Sequence, residues 1–544
     1  MDKSLLHTPE GVRDIYGTEY ERILLIQEKI RNCMAEFSYR PIKTPSFEFF
    51  DVYGKEVGTT PSKDLFKLVD KDGFTLVLRP DFTPSIARCA AKYFMNSNEP
   101  IRFRYEGNVF SNVSSFQGKL KEYIEMGAEL IQDESIEADA EMIVLAIQSL
   151  KAAGLEQFQI KIGNNDYFLG LCEEANMDFE SQQMLRELLS EKKYVEARCL
   201  LEEFHVEPSE ALYKIADFFG DFTDLASIKS QTDNNKSIHA IERLEQLDII
   251  LKEKNVDTYV SYDLAMLSRY HYYTGILFKG YTYGSGDAIL KGGRYDKLLK
   301  YFGKEAAAVG FKIIVDDLME SLEAKTLHVE SEGDRYLTFA LTKGRLASKT
   351  LGLLNKLGIS CTEMEDKETR KLIFVNEDLK LRFFLAKGPD VPTYVEYGAA
   401  DIGVVGRDTI LEENRNGYEV LDLGFGACRM CVCGPLSSKT LLNNHERIRV
   451  ATKYPNIAKE YFYNVKHQTV DLIKLNGSVE LGPLVGLADV IVDIVETGST
   501  LRENGLDVLE EICPLSARMI VNKVSMQMQQ KRIMDLVVGL QDLL

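Results

Sequence analysis

DIVETGSTL, residues 493 to 501, is the stretch on which the reading of this 544-residue chain turns. It follows the apolar run LADVIV, which reads as a buried parallel strand. It precedes RENG, a short helical turn. Strand, tight polar loop and helix start, in that order, aim backbone N–H groups at whatever sits over the loop, and the helix dipole favours an anion there. Gly498 lets the backbone approach closely. Thr497, Ser499 and Thr500 add hydroxyl donors. Asp493 and Glu496 place carboxylates where ribose hydroxyls would lie if a 5-phosphate filled the cradle. A bare TGST would read as a capped strand-to-helix turn. The two acids and the apolar strand before it turn the reading to a sugar-phosphate site.

Working outward, RYLTFAL is an apolar strand, TKGRL follows it, and ASKTLGLLNKLG reads as a helix. Lys343, Gly344 and Arg345 thus stand at a strand end, where ligands bind in open α/β sheets. Two cations flanking a glycine suit a phosphate site. KLIFVNEDLKLRFFLAKG reads as a hairpin, with Arg370 just before it, whose plain alternative is a surface ion pair. The alternation of ACRMCVC reads as a buried strand with Cys as a small hydrophobe; CxxCxC could hold a metal, but no second Cys or His pair lies nearby at ligand spacing. RIRVATKYP, a helix to about Asn464, and QTVDLIKL repeat the α/β pattern. LEEICPLSARMIVN reads as a closing strand and SMQMQQKRIMDLVVGLQDLL as an amphipathic helix. The predicted fold of residues 335–544 is two α/β lobes about a cleft.

Ahead of it, residues 1–325 read differently. A long amphipathic helix carries Ile23, Ile26, Ile30, Met34 and Phe37. Residues 64–83 read as a hairpin turning at Asp72-Gly73. Residues 84–94 form a helix. IRFRYEGNVFS pairs with KLKEYIEMGAELI, and 137–153 form another helix. Residues 165–255 are mostly helical, and the chain then returns to sheet. Few βαβ units are present, so the sheet is predicted to be antiparallel, in an α+β domain. Residues 326–334, polar and containing Gly333, read as a linker.

Bulk properties limit the function. The length exceeds one core. A formal net charge of −19 argues against a broad nucleic-acid surface. Nine scattered Cys suit a reducing, cytoplasmic protein. The start lacks a signal-peptide pattern, and no apolar run reaches membrane-spanning length.

Two resemblances follow from the motifs. TPEGVRDI, LRPDFTPSIAR, FRYEGNVF, YYTGILF and GGRYDKLL, spread over nearly all of the first 320 residues, resemble the class II catalytic core of histidyl-tRNA synthetase. The resemblance fails where that family activates its amino acid. Ser268, four residues before Tyr272, stands where the family carries an arginine, and Asp317 stands where an ATP-binding arginine would be, repelling a triphosphate instead of neutralising it. The anticodon domain is also missing. The amino-acid pocket is better preserved: Asp81, Thr83, Arg104, Glu125, Glu129, Tyr272 and Tyr273. Its carboxylates can hold an α-ammonium, and its tyrosines can wall an imidazole. That pattern is similar to the regulatory subunit of ATP phosphoribosyltransferase.

ALTKGRL, EYGAADIGVVGRD, RVATKYP, NGSVELGPLVGLAD and DIVETGSTLRENGL resemble, end to end, the short-form catalytic subunit of ATP phosphoribosyltransferase. The ETGST loop resembles the phosphoribosyl-diphosphate (PRPP) loop of phosphoribosyltransferases. The chain therefore resembles both partners in one polypeptide, the second with a fold like a periplasmic binding protein. The resemblance implies that ATP and PRPP condense to N1-(5-phosphoribosyl)-ATP and diphosphate, the first step of histidine biosynthesis, with histidine as feedback inhibitor. It implies PRPP on Asp493, Glu496, Thr497, Gly498, Ser499 and Thr500, and ATP on Lys343, Gly344 and Arg345. Arg345 and Arg370 are the catalytic candidates, Mg2+ rides on the phosphates, and the assembly is a homo-oligomer. A non-enzymatic histidine sensor and a synthetase-like binding protein are the competing readings.

Overall fold

A computed structural model describes residues 6–54, 60–113, 118–191, 193–204, 210–217, 225–268, 272–327, 335–364, 371–443 and 447–544. The chain divides into two compact units, Met1–Val329 and Glu330–Leu544. Most of the segment read as a linker lies outside the described residues.

The first unit is built on an eight-stranded sheet. Its spatial order is Arg40–Pro41, Ile101–Phe110, Glu122–Ile131, Ala308–Ile314, Leu290–Arg294, Ile276–Tyr281, Gln159–Asn164, Val260–Tyr262. Pairing is antiparallel except at the two edges, where Arg40–Pro41 and Val260–Tyr262 run parallel to their neighbours. Helix Gly17–Glu36 buries Ile23, Ile26, Ile30 and Met34, the stripe read from the sequence. Phe37 falls just past it, at the C-cap. Helix Ile136–Ala153 packs beside it. It starts where the Ser135 side chain accepts from Ala138 N, and it stops at Gly154, whose φ of 101° is left-handed. The hairpin at Asp72-Gly73 forms as read, between Lys67–Val69 and Thr75–Leu78. Between Asn165 and Glu253 the described chain is helical.

The second unit has two sheets. One orders Ile373–Asn376, Leu381–Ala386, Leu337–Thr342, Ile402–Gly406, Ala517–Val521 and Tyr418–Asp422; the other orders Val470–Lys474, Ile448–Thr452, Val490–Val495, Cys428–Gly434 and Asp507–Leu515. The central Val490–Val495 strand is parallel to Ile448–Thr452 but antiparallel to Cys428–Gly434, so its sheet is mixed. In Cys428–Gly434, Met430 and Val432 enter one core and Cys431 and Cys433 the opposite one. From Met430 onward the strand is buried on both faces, while Arg429 is exposed.

Two readings need correction. LEEICPLSARMIVN is two strands, Asp507–Leu515 and Ala517–Val521, in different sheets. Residue polarity stays the same across Ser516, so no break shows in the pattern; the change of sheet is set by tertiary pairing. The C-terminal helix is likewise two, Lys523–Met528 and Gln530–Gln541, split at Gln529 with φ −122° and ψ 32°. The helix read to about Asn464 runs from Pro455 to Val465, with Pro455–Lys459 α-helical and Glu460–Val465 a π-turn.

The chain passes between the two sheets twice, after Asp422 and at Ser516. The crossings bond to each other: Leu423 N donates to Ala517 O at 2.9 Å and Ala517 N to Phe425 O at 2.9 Å. These adjacent crossings join the lobes, and strand-end loops of both come together where Arg345 meets Glu496 and Tyr454 meets Asp408. No helix among the described residues is long and apolar enough to cross a membrane.

Candidate functional site

The second unit's cleft begins at the ETGST loop. Strand Val490–Val495 ends, Glu496 and Thr497 stand exposed, and helix Ser499–Glu503 starts. Gly498 makes the turn with φ 70° and ψ 12°, a conformation that costs other L-residues about 1–2 kcal/mol. Thr497 Oγ1 lies 3.0 Å from Ser499 Oγ, so two hydroxyls meet over the loop. Behind it, Arg502 Nη2 donates to Thr497 O at 3.1 Å and fixes the turn.

The TKGRL loop comes from the other lobe. Strand Leu337–Thr342 ends, Lys343 is exposed, Gly344 takes φ 96°, and helix Arg345–Lys356 begins. Arg345 Nη1 donates to Glu496 Oε1 at 3.4 Å across 151 residues of sequence. Both side chains are more than half exposed, so the pair is weak and water-screened. Such a guanidinium is easily surrendered to a phosphate. The structure brings Arg345 to the ETGST loop, as the two strand-end readings require. Arg370 lies outside the described residues.

Asp493 lies half-buried on the strand leading to the loop. Burial is the main cause that pushes its carboxyl up to about 6; the Glu480 and Asp408 carboxylates add to the rise and Lys453 opposes it. Asp408 is raised too, chiefly by burial, and accepts from Tyr454 OH at 3.4 Å. Gly406 lets that carboxylate fold back: a Cβ there would sit 2.2 Å from Asp408 Oδ1. Cys428 shares this cleft, since its thiol feels Asp408, Glu496 and Arg345. Asp408, Lys453, Tyr454 and Cys428 were not picked from sequence. Asp408 and the Lys453-Tyr454 pair follow strand ends in GVVGRD and RVATKYP, so the strand-end rule that found Arg345 would have reached them.

A second contact bridges the lobes beside the cleft. Glu412, on helix Arg407–Glu413, accepts from the backbone of Asn456 at 3.0 Å and Ile457 at 3.2 Å, while Asn456 Nδ2 returns a bond to Glu412 O at 2.9 Å. The carboxylate thus caps the first turn of Pro455–Lys459 from the opposite lobe. Glu412→Ala is expected to cost about 1 kcal/mol of stability, as for a lost cap. It should also lower kcat/KM by about tenfold through a loosened cleft. Glu412→Gln, which keeps an acceptor, should recover most of it. Steady-state rates of the two variants check this; equal loss in both would refute the capping role.

The first unit holds a separate, narrow pocket. Antiparallel pairing lays its floor: Gly310 opposite Glu129, Lys312 opposite Gly127, Ile314 opposite Glu125, and Lys291 opposite Lys312. Glycine keeps this floor open. A Cβ on Gly293 would come within 2.7 Å of the Tyr273 ring, and one on Gly310 within 1.6 Å of Glu129 Oε2. Glu129 is fully buried; Thr83 Oγ1 donates to it at 2.7 Å and Tyr295 OH donates to its other oxygen. Burial pushes its carboxyl up to about 8 against the pull of those hydroxyls.

Of the residues read as the amino-acid pocket, Asp81, Thr83, Glu129, Tyr272 and Tyr273 line it. Arg104 does not: its guanidinium donates to Tyr39 O, because strand Ile101–Phe110 turns it toward the preceding segment. Glu125 lies beneath the lining, 2.7 Å from Lys312 Nζ. Lys291, Tyr295 and Lys312 line the pocket and were missed; only strand register reveals them. Asp317, on the first turn of Val315–Leu327, is pushed up to about 7 by burial, with Asp287, Glu320 and Asp316 adding to it. Lys291 opposes that rise.

Comparison with known proteins divides along the same line. Residues 11–318 match the profile of the family described as histidyl-tRNA synthetase, and residues 387–542 match that of ATP phosphoribosyltransferase. An ATP phosphoribosyltransferase of Lachnoclostridium phytofermentans is 70% identical over 210 residues, 39% of this chain and 98% of that protein. An ATP phosphoribosyltransferase regulatory subunit of Ruminiclostridium cellulolyticum is 37% identical over 325 residues, 59% of this chain and 78% of that protein. A solved structure from Bacillus halodurans, described as an ATP phosphoribosyltransferase regulatory subunit/histidyl-tRNA synthetase, aligns with a TM-score of 0.55 at 27% identity over 70% of this chain and 99% of its own.

Proposed function

The chain belongs to the ATP phosphoribosyltransferase family, a part similar to the regulatory subunit preceding a part similar to the catalytic one, and from that premise we propose how its residues work. The second unit condenses ATP with PRPP to N1-(5-phosphoribosyl)-ATP and diphosphate. The observation that carries this is the meeting of Arg345 with the Glu496–Thr500 loop across the cleft.

Adenine N1 carries the attacking lone pair, so no general base is required. As the N1–C1 bond forms, the bond from C1 to the diphosphate oxygen breaks, and its electron pair leaves with the diphosphate. Thr497, Gly498, Ser499 and Thr500 hold the 5-phosphate; Asp493 or Glu496 orients the ribose hydroxyls. Lys343, Gly344 and Arg345 meet the ATP phosphates. Arg345, with Arg370, stabilises the charge that builds on the leaving group, the largest kind of catalytic contribution. The oxygen donors of Asp493 and Glu496 fit a hard divalent cation carried by the substrate phosphates. Mg2+ would add positive charge at the diphosphate.

Histidine binding in the first unit inhibits the reaction by favouring a less active state. The protein acts in the cytoplasm as a homo-oligomer. Purified chain, ATP and PRPP should give a rise in ultraviolet absorbance with stoichiometric diphosphate, suppressed by histidine. Aminoacylation of tRNA in place of that signal would overturn the reading.

Asp493 gives the site its pH dependence. Its folded pKa, raised to about 6, lies above the unfolded value of about 3.9. Its burial is therefore tolerated fully below about pH 4, and stability is lost as pH rises through about 6. Catalysis runs the other way, because the ionised carboxylate accepts on both oxygens, whereas protonation turns one of them into a donor. The expectation is that kcat/KM for PRPP falls as pH drops below about 6. Asp493→Asn should remove that limb, lower activity at neutral pH, and raise Tm at pH 8 but not at pH 4. A variant whose Tm gain is equal at both pH values would contradict the assignment.

A further inference from the structure

The first unit's pocket carries its own ammonium group. Lys312 Nζ lies 2.7 Å from Glu125 Oε1 and 3.4 Å from Asp81 Oδ2. These are two of the three carboxylates, with Glu129, that sequence reading offered to a ligand's α-ammonium. Glu125 is fully buried and Asp81 nearly so, so a second ammonium brought in beside Lys312 would meet its repulsion at short range with little water to screen it. Glu129 is different. Among the described residues no lysine or arginine lies within ion-pair distance of it; hydroxyls of Thr83 and Tyr295 hold one site on each oxygen. One acceptor site per oxygen is left for ring N–H groups.

The opposite sign also has a place to go. Lys291 pairs directly with Lys312 across two strands, on one face. Like charges in that position repel each other. Lys291's ion contact is Asp287 at 3.7 Å, a long one. A ligand carboxylate set between the two ammonium groups would relieve that repulsion.

We propose that Lys312, and not the ligand, supplies the ammonium for Asp81 and Glu125, so that the pocket selects an imidazole bearing a carboxylate and does not require an α-ammonium. Lys312 is thereby a specificity-determining residue. The inference rests on the reading of this pocket as a histidine site and refines what that site measures.

Calorimetric titration of the full chain with three probes tests it: L-histidine, 3-(imidazol-4-yl)propionate, which lacks the amino group, and histamine, which lacks the carboxylate. The propionate should bind within about 3-fold of histidine. Histamine should bind at least about 10-fold more weakly, the usual cost of losing a hydrogen bond to a charged group. In Lys312→Met the freed carboxylates should favour histidine over the propionate by about 10-fold or more. If histidine binds the wild-type chain and the propionate is more than about 10-fold weaker, the inference falls and the histidine reading stands. If none of the three binds, the histidine reading falls and this inference with it. The wild-type series decides even if Lys312→Met does not fold.

Discussion

Arg345→Ala is expected to lower kcat by about 10²- to 10³-fold while leaving KM for PRPP nearly unchanged, the loss seen when one preorganised charge-stabilising donor is removed. The reason lies in where Arg345 sits. It opens a helix at a strand end, beside the loop that would hold the 5-phosphate, and its ion pair with Glu496 is exposed and weak. The guanidinium therefore costs little to redirect toward a leaving diphosphate. Its interaction strengthens as charge develops, so its loss belongs in kcat. Initial rates of ATP and PRPP condensation measure the variant. A raised KM at unchanged kcat for Arg345→Ala would refute the assignment.

Gly310→Ala is expected to abolish the response to histidine and to lower the Tm of the first unit. The added Cβ would lie 1.6 Å from Glu129 Oε2 and 2.8 Å from Ala128 O. The second neighbour is backbone in the adjacent strand and cannot swing aside. Overpacking of this kind costs about 1–3 kcal/mol, sometimes more. It also displaces the one pocket carboxylate left to a ligand. Differential scanning calorimetry and histidine inhibition curves check both effects; a variant with normal melting and normal inhibition would show the floor to be pliable. Gly352 supplies the opposite case. It is exposed within helix Arg345–Lys356, and a Cβ there meets nothing within 4 Å. Gly352→Ala should stabilise by about 0.5–1 kcal/mol.

Much of the catalytic unit was legible in the chain. Apolar strands running into TKGRL and ETGST, each followed by a helix start, mark ligand loops without any coordinates. Gly344 and Gly498 do take the left-handed conformations that those turns require. The first unit's pocket was only partly legible. Asp81, Thr83, Glu129, Tyr272 and Tyr273 stand in motifs and line it. Lys291 and Lys312 were not readable, since a lysine in a strand shows no sign of what lies opposite.

By itself the sequence determined the two modules, their order, the strand-end loops and the chemistry those loops suit, because periodicity, turn residues and charge act over a few neighbouring positions. Tertiary structure alone decided that Arg345 reaches Glu496, that the strand broken at Ser516 serves two sheets, and that Lys312 lies within ion-pair distance of carboxylates 187 and 231 residues earlier in the chain. Those contacts depend on strand register and on where the chain crosses between lobes, and both are set by the packing of whole sheets, which no local pattern records.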